Sequence, residues 1–502
     1  MTSPAMIIAG RTGEGKTAIL RHIESEAEHC LFLDPTEMSM NYVSNSDALR
    51  FLTMIGADLD LLFQVLWKHV LCIEFIRLRY GVENTQKSKS IFSRIVDKFS
   101  RDERRAKAIS YLKEWQGKFW ITMDQNIKEI TEAYETKLHA ELGADIEKFK
   151  AGGQYDKRLS TEKKSELVAR SRKIINSDQL AELHGIIDML SVPDGDQMKE
   201  FYILIDRLDE RWVDDSVRFR LIKALLETLK SFRKIRNLKI LVALRLDVFE
   251  RVVQETSDIA FQREKFEDNM VRLVWTKKDL KAVVDERIKL LFKRKFTSDC
   301  VTFDDVFPNK VSNKDAFDWI AERTLMRPRD VIAFVNEAID AAAGQATVSN
   351  SALRKAEGEF ARKRKDALIQ EWRSAHPALG KMLNIFARQK KPMIEFKELL
   401  EKAEFEEFAL DVCGDPELAR DPVAIECQTY VDTKSTDSRK IMQVAVAVMY
   451  RTGAVGLKLD TSEAYTYSHL SRPLISPHLV GDNTKIRLHP MLHAAFHVHE
   501  SG

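Results

Sequence analysis

The chain has 502 residues, of which 44% are apolar and 31% charged, and its formal net charge is +2. That length allows two or three domains with their own cores, and the near-neutral balance excludes any global sign of a polyanion partner. The longest apolar stretch, around Leu61–Ile76, is interrupted by Gln64, Lys68, His69 and Glu74. It falls short of the roughly 18–20 residues of a membrane span and reads as a buried amphipathic helix, so no membrane part is expected. Five cysteines (Cys30, Cys72, Cys300, Cys413 and Cys427) show no metal-ligand spacing, and no signal peptide is read. The expectation is reduced thiols in a cytoplasmic protein.

In chain order, the short apolar run Met6-Ile7-Ile8-Ala9 leads into Gly10-Arg11-Thr12-Gly13-Glu14-Gly15-Lys16-Thr17, which satisfies G-x-x-x-x-G-K-[ST] at every fixed position. The glycines let the backbone bend so that successive N–H groups point inward at phosphates. Lys16 is placed to reach the β- and γ-phosphates and the Thr17 hydroxyl to ligate Mg²⁺. A helix opening at about Thr17 adds its positive dipole end to the same anion. A second strand is expected at Cys30–Leu33. From about Leu49 to Leu190 the chain reads as helix, a connection far longer than the ~2–6 residues usual in α/β units. It is expected to be an insertion, a hairpin or bundle projecting from the sheet. Its basic part, Arg94 through Lys118, reads as a solvated helix face or a polyanion contact.

Phe201-Tyr202-Ile203-Leu204-Ile205 is a continuous apolar run ending in Asp206, the form of a buried parallel strand opening into a site. Asp206 is placed to hold Mg²⁺ through its water shell, and Asp209 or Glu210 to orient or deprotonate an attacking water. After a helix at about Val217–Phe232, the strand Leu238–Leu244 ends at Arg245 with Asp247 beside it. Arg245 at a strand's carboxyl end faces the ligand crevice of an open α/β sheet and suits a γ-phosphate sensor. A fifth strand is expected at Met270–Trp275, followed by a helix over Lys278–Phe292. In Arg327-Pro328-Arg329, Pro328 suits the first turn of a helix. Arg327 and Arg329 are expected to reach back across the nucleotide, where a planar guanidinium clamps phosphate oxygens.

A charged helix over Ala352–Arg373 reads as a linker. Beyond it, helices at Leu379–Arg388, Phe396–Lys402 and Ser438–Tyr450 precede strands at Ala454–Leu459, Ala464–His469 and Lys485–Leu488, a winged-helix-like order without a clearly basic recognition helix. His489, His493 and His497 share a four-residue spacing, with His499 following. No acidic or cysteine ligand joins them, and they read as packing residues.

With these residues in order, the chain resembles the additional-strand P-loop ATPases. The Asp206-x-x-Asp209-Glu210 form and Arg245 are similar to the signal-transducing STAND ATPases. Pro328-Arg329-Asp330 with Phe334 and Asn336 is similar to the lid of KAP-type ATPases. A bacterial family labelled as DNA-repair or antiphage-defence ATPases shares the insertion and a winged-helix-like end with a His-Pro segment, here His489-Pro490. The resemblance implies ATP with Mg²⁺, a five-stranded parallel sheet, a nucleotide-controlled switch or assembly, homo-oligomers and a separately encoded protein effector. Two departures stand out: Arg207 occupies a position where many STAND members carry glycine, and the insertion lacks the membrane helices of the KAP relatives.

The expected fold is therefore α/β. A five-stranded parallel P-loop NTPase sheet (1–48 and 191–276) carries a long helical insertion (49–190). A helical lid (277–345), a charged linker helix (346–373) and a winged-helix-like C-terminal domain (374–502) follow. The function expected is a slowly hydrolysing regulatory ATPase in bacterial defence or DNA maintenance. Two alternatives remain: a DNA-dependent loader or remodelling ATPase that binds duplex DNA through the C-terminal domain, and a non-hydrolysing ATP-locked scaffold.

Overall fold

In the computed structural model, the run after residue 6 forms β1 (Ile7–Gly10), buried along its whole length. The structure describes residues 4–35, 59–82, 103–115, 125, 177–192, 199–210, 212–213, 215–255, 266–295, 301–373, 375–419, 421–433, 438–460, 462–470 and 474–498. By their internal contacts these fall into two units, Met1–Arg11 with Gly15–Leu273, and Thr12–Glu14 with Val274–Gly502.

The first unit is built on a five-stranded sheet in the order β2-β3-β4-β1-β5. Its other strands are β2 (His29–Leu33), β3 (Phe201–Ile205), β4 (Leu238–Arg245) and β5 (Met270–Arg272). Every pairing is parallel. The unbroken apolar runs of β3 and β4 follow from this, since a parallel strand covered on both faces has no solvent side to which polar residues could alternate. The register brings Gly10 opposite Arg245 and Leu33 opposite Ile205. Gly10, Arg245, Asp34 and Asp206 therefore gather along the carboxyl edge of the sheet. β5 is shorter than the apolar run around it, and the ladder closes with the Leu273 amide donating to the Ala9 carbonyl at 3.0 Å.

Helices α1 (Lys16–Glu26) and α2 (Asp60–Tyr80) follow β1 and β2, and α3 (Ser177–Ser191), α4 (Asp215–Phe232) and α5 (Leu246–Glu255) complete the unit. The described parts of the insertion do not stand away from the sheet as expected. Residues of α2, of the helical stretch 103–115 and of α3 share one core with Phe201, Ile203 and Ile205 of β3. The physical reason is α2 itself, which buries residues around nearly its whole circumference and so has to be covered on all sides. Trp67 Nε1 donates to the Leu221 carbonyl of α4 at 2.8 Å, and Lys223 pairs with Asp60 at 2.5 Å. Of the basic segment 94–118, residues 94–102 and 116–118 lie outside the described residues, as does Cys300.

In the second unit, α6 (Lys277–Lys295), α7 (Ala316–Ala321), α8 (Pro328–Ala341) and α9 (Asn350–Trp372) lead to α10 (Leu379–Gln389), α11 (Lys402–Cys413), α12 (Pro422–Thr433) and α13 (Arg439–Thr452). One hydrophobic core runs through it, from Leu280 to Val498. The charged helix α9 is part of that core on one face, through Leu353, Phe360 and Trp372. Besides a small hairpin of β6 (Lys310–Val311) and β7 (Lys314–Asp315), an antiparallel sheet forms in the order β8-β10-β9. Its strands are β8 (Met393–Glu395), β9 (Val455–Lys458) and β10 (Lys485–Leu488). The strand expected at 464–469 is instead one isolated bridge, Leu457 to Thr466. β9 spends its other edge on β10, and the third strand of the sheet comes from β8. Among the described residues no helix is long and apolar enough to cross a membrane.

Candidate functional site

At the carboxyl end of β1 the chain leaves the sheet through Gly10 and Arg11 and re-enters the unit at Gly15, which caps α1 at φ 97° with no capping side chain. A β-carbon would strain that left-handed conformation. A helix that opens on an uncapped turn presents its first amides and its positive dipole end together, the arrangement that receives anions. Lys16, the first residue of α1, is buried, and its Nζ donates to the carbonyls of Gly10 at 3.0 Å and Arg11 at 2.9 Å. The ammonium thus lies folded against the loop that carries it.

The next residue links the loop to β3. Thr17 Oγ1 donates to Asp206 Oδ2 at 2.6 Å, and Asp206 Oδ1 accepts from the Arg207 amide at 2.9 Å. Arg207 has φ 61°, a left-handed conformation that costs a non-glycine residue about 1–2 kcal/mol. Glycine would take up the same turn without that cost. Arg207 Nη1 lies 3.0 Å from Asp34 Oδ2, and its Nε 3.6 Å from Glu210 Oε1. Glu210 is half exposed.

Arg245 ends β4. Its Nε and Nη2 fork the Asp247 carboxylate at 2.9 and 2.7 Å, while Nη1 donates to Asp209 Oδ2 at 3.0 Å. Burial works to lower the Arg245 pKa, but Asp247 and then Asp209 outweigh it and raise it. The turn is secured from α4 by buried Arg218, whose Nη1 donates to the carbonyls of Asp209 at 3.4 Å and Glu210 at 3.2 Å.

Sequence reasoning missed Asp34 and Arg218. Asp34 carried a signal, since it closes the apolar run of β2 as Asp206 closes that of β3. Arg218 carried none, being one of several basic residues on an amphipathic helix. The sheet edge therefore gathers Lys16, Thr17, Asp206, Asp209, Glu210 and Arg245.

The loop tip Thr12–Glu14 belongs by its contacts to the second unit. There Arg327 Nη1 donates to the Thr12 carbonyl at 2.6 Å, the Arg329 amide to the Gly13 carbonyl at 3.3 Å, and Trp275 Nε1 to the Glu14 carbonyl at 2.9 Å. The phosphate-clamp role expected of Arg327 meets a correction. Its guanidinium is 1% exposed and committed to Asp330 Oδ2 at 2.8 Å and Glu371 at 3.1 Å. Arg364 completes the cluster through Asp330 and Glu371 at 3.2 and 3.0 Å. A guanidinium held on several sides by carboxylates and a carbonyl has no fork to offer a phosphate. Arg329 is exposed at the start of α8, and its side chain makes no hydrogen bond or ion pair among the described residues.

Helix α13, which precedes β9, buries Ile441, Met442, Ala445, Val446, Val448 and Met449. The connection before β10 lies along it, with Gln443 Nε2 donating to the Val480 carbonyl at 2.8 Å and Arg439 paired with Asp482 at 2.7 Å. Of the terminal histidines, His489 Nδ1 caps the short helix at Pro490 by accepting from Met491, and His493 Nε2 lies 2.9 Å from the Leu488 carbonyl. Among the described residues no group of three or more His, Cys, Asp or Glu side chains is placed to hold a metal ion. His499 lies outside them.

Comparison with known proteins bears on the second unit most directly. The profile of the FunZ-associated C-terminal helical domain matches residues 278–369. The match runs through α6–α9 and across residue 345, where the sequence reading divides lid from linker. The chain is 22% identical over 310 residues to the "Putative transposon gamma-delta 80.3 kDa protein" of Escherichia coli (strain K12). That alignment covers 61% of this chain but only 41% of that protein. It is also 24% identical over 174 residues to "Allergen Alt a 2" of Alternaria alternata, covering 34% of this chain and 90% of the relative. No solved structure matches.

Proposed function

We propose that the protein binds ATP with Mg²⁺ at the carboxyl edge of the first unit's sheet and hydrolyses it slowly, as a nucleotide-controlled switch or assembly platform. The observation that carries this reading is the 2.6 Å hydrogen bond between Thr17 and Asp206. It joins the two side chains that a Mg²⁺ site between a phosphate loop and a neighbouring strand requires. The fit is one of donor chemistry: hydroxyl and carboxylate oxygens suit a hard cation. Lys16 and the first amides of α1, with the Gly10 and Arg11 backbone, suit phosphate oxygens. The strand order β2-β3-β4-β1-β5 supports the same reading, because it inserts β4 between β1 and β3 as an additional-strand P-loop ATPase does.

Bound Mg²⁺ would offset charge on the transferring phosphoryl group. The chain's own residues divide the remaining work. Asp209 is tied to Arg245 at 3.0 Å, whereas Glu210 makes only a longer, 3.6 Å pair with Arg207, which favours Glu210 as the carboxylate that orients the attacking water. Arg245, anchored by the Asp247 fork and, unlike Arg327, partly exposed, would respond to the γ-phosphate by giving up its second partner, Asp209.

The order helix, strand, helices, strand, strand around the β8-β10-β9 sheet supports a winged-helix-like reading of the C-terminal part. The buried faces of α13 and the segment laid along it favour a docking role over insertion into a major groove. Defence or DNA maintenance, homo-oligomers and a separately encoded protein effector belong to this proposal as its biological setting. A DNA-dependent ATPase is the second reading, favoured by the transposon named in one relative's description.

Phosphate release from Mg²⁺ and ATP, with and without duplex DNA and with Lys16→Ala as the blank, tests both. Slow turnover indifferent to DNA supports the switch. Stimulation of several-fold that falls steeply with salt supports the second reading, and turnover equal to the blank rejects both.

A further inference from the structure

We propose that Arg207 is a positioning residue that restrains Glu210, a regulation of the site that rests on the nucleotide reading above. The backbone at Arg207 is left-handed, φ 61°, in a turn where glycine would sit without strain. That conformation lets one guanidinium address two carboxylates on different segments. Nη1 is 3.0 Å from Asp34 Oδ2 at the end of β2, and Nε is 3.6 Å from Glu210 Oε1. Asp34 is the more enclosed of the two acids, with 12% of its side chain exposed against 51% for Glu210, so it anchors the cation and Glu210 is the partner able to leave.

The same turn is held from below by Arg218 through the carbonyls of Asp209 and Glu210. The Glu210 backbone is therefore fixed while its carboxylate alternates between Arg207 and the reacting water. A carboxylate committed to a guanidinium is not available to orient that water, and the fraction released sets the rate of hydrolysis without altering how phosphates are held. Pairing with Arg207 thus keeps basal turnover low while leaving nucleotide affinity intact, which suits a switch that stays loaded.

Four variants test this with Mg²⁺ and ATP. Arg207→Gly and Arg207→Asn remove the cation but tolerate φ 61°, whereas Arg207→Lys keeps a charge, and Arg207→Gly combined with Glu210→Gln removes the group acted on. The first two are expected to raise kcat roughly 2- to 5-fold, the range that loss of an exposed ion pair supports, with KM for ATP unchanged. The lysine variant is expected to stay near wild type, and the double variant to lose the gain.

A melting temperature altered in the glycine and asparagine variants with kcat unchanged would make Arg207 a purely structural residue and overturn the proposal. A fall in kcat would do the same by making Arg207 necessary for the chemistry. Wild-type turnover untouched by Lys16→Ala would instead remove the nucleotide reading itself, a failure recognised before any Arg207 variant is compared.

Discussion

Arg245 at the end of β4 is tied to Asp209 beyond the end of β3, guanidinium to carboxylate at 3.0 Å, while Asp247 holds the other side of the guanidinium in a fork. The two strands are neighbours in the sheet, so the ion pair locks their carboxyl ends together at the edge where Gly10 also emerges. Arg245→Ala is expected to lower ATP turnover by roughly 10²-fold, the cost of removing one preorganised donor to developing charge. Nucleotide affinity should stay within about threefold, because Lys16 and the loop are untouched. Steady-state phosphate release set against calorimetric binding separates the two. Equal losses in both would place Arg245 in ground-state binding instead.

The Arg327–Asp330–Glu371–Arg364 cluster gives the second unit an interior electrostatic joint between α8 and α9. Burial and then its neighbours act on Arg364, whose pKa is lowered, while Arg327, opposed by burial but flanked by Asp330 and Glu371, is raised. Removing one carboxylate leaves buried positive charge uncompensated. Glu371→Ala is therefore expected to destabilise the second unit by about 3–5 kcal/mol, read as faster hydrogen exchange along α8 and α9. Unchanged protection there would show the cluster to be dispensable.

Gly13 has φ 83°, and a β-carbon added to it would lie 2.5 Å from Cβ of Arg329. Gly13→Ala thus meets both a strained backbone and the Cβ of an α8 residue, which no side-chain rotation can move away. A loss of stability of about 1–2 kcal/mol is expected from the left-handed conformation alone, measured by chemical denaturation. Wild-type stability in that variant would mean that the loop tip can move off Arg329 without cost.

His69 on α2 is buried with Nδ1 3.0 Å from the Tyr111 hydroxyl. Burial first, and Arg77 second, push its pKa down from 6.5 to about 3. The folded state therefore keeps the imidazole neutral while the unfolded chain takes up a proton below pH 6.5. Stability from this group is complete above that pH and is lost as the pH falls towards 3. Between pH 7 and pH 5 the wild type should lose about 2 kcal/mol relative to His69→Gln. Denaturant titrations of both proteins at the two pH values check this, and parallel losses would refute it.

Much of the first unit was legible because parallel strands announce themselves as unbroken apolar runs. Phe201–Ile205 and Leu238–Leu244 emerge as strands at those residues or within one of them, and acids or a cation at their ends fall on one edge because register makes them neighbours. The cluster around Arg327 was not legible. Its partner Glu371 lies 44 residues along, on a helix whose charges look alike in sequence, and only packing of α9 against α8 selects it. Asp34 stood in plain view but acquires meaning only once Leu33 pairs with Ile205. The bridge at Thr466, read as a strand, shows the limit of alternation as a signal, since only that one residue of 464–469 pairs with β9. β8, three residues long after Pro392, was too short to leave any periodic trace.

The most direct measurement is calorimetric titration of Mg²⁺ and ATP into the wild type and into Lys16→Ala, after melting curves without nucleotide show that both are folded. Saturable binding by the wild type, abolished in Lys16→Ala and weakened when Mg²⁺ is withheld, is the result predicted from the Lys16–Thr17–Asp206 arrangement. Equal binding by both proteins, or none by the folded wild type, would contradict it.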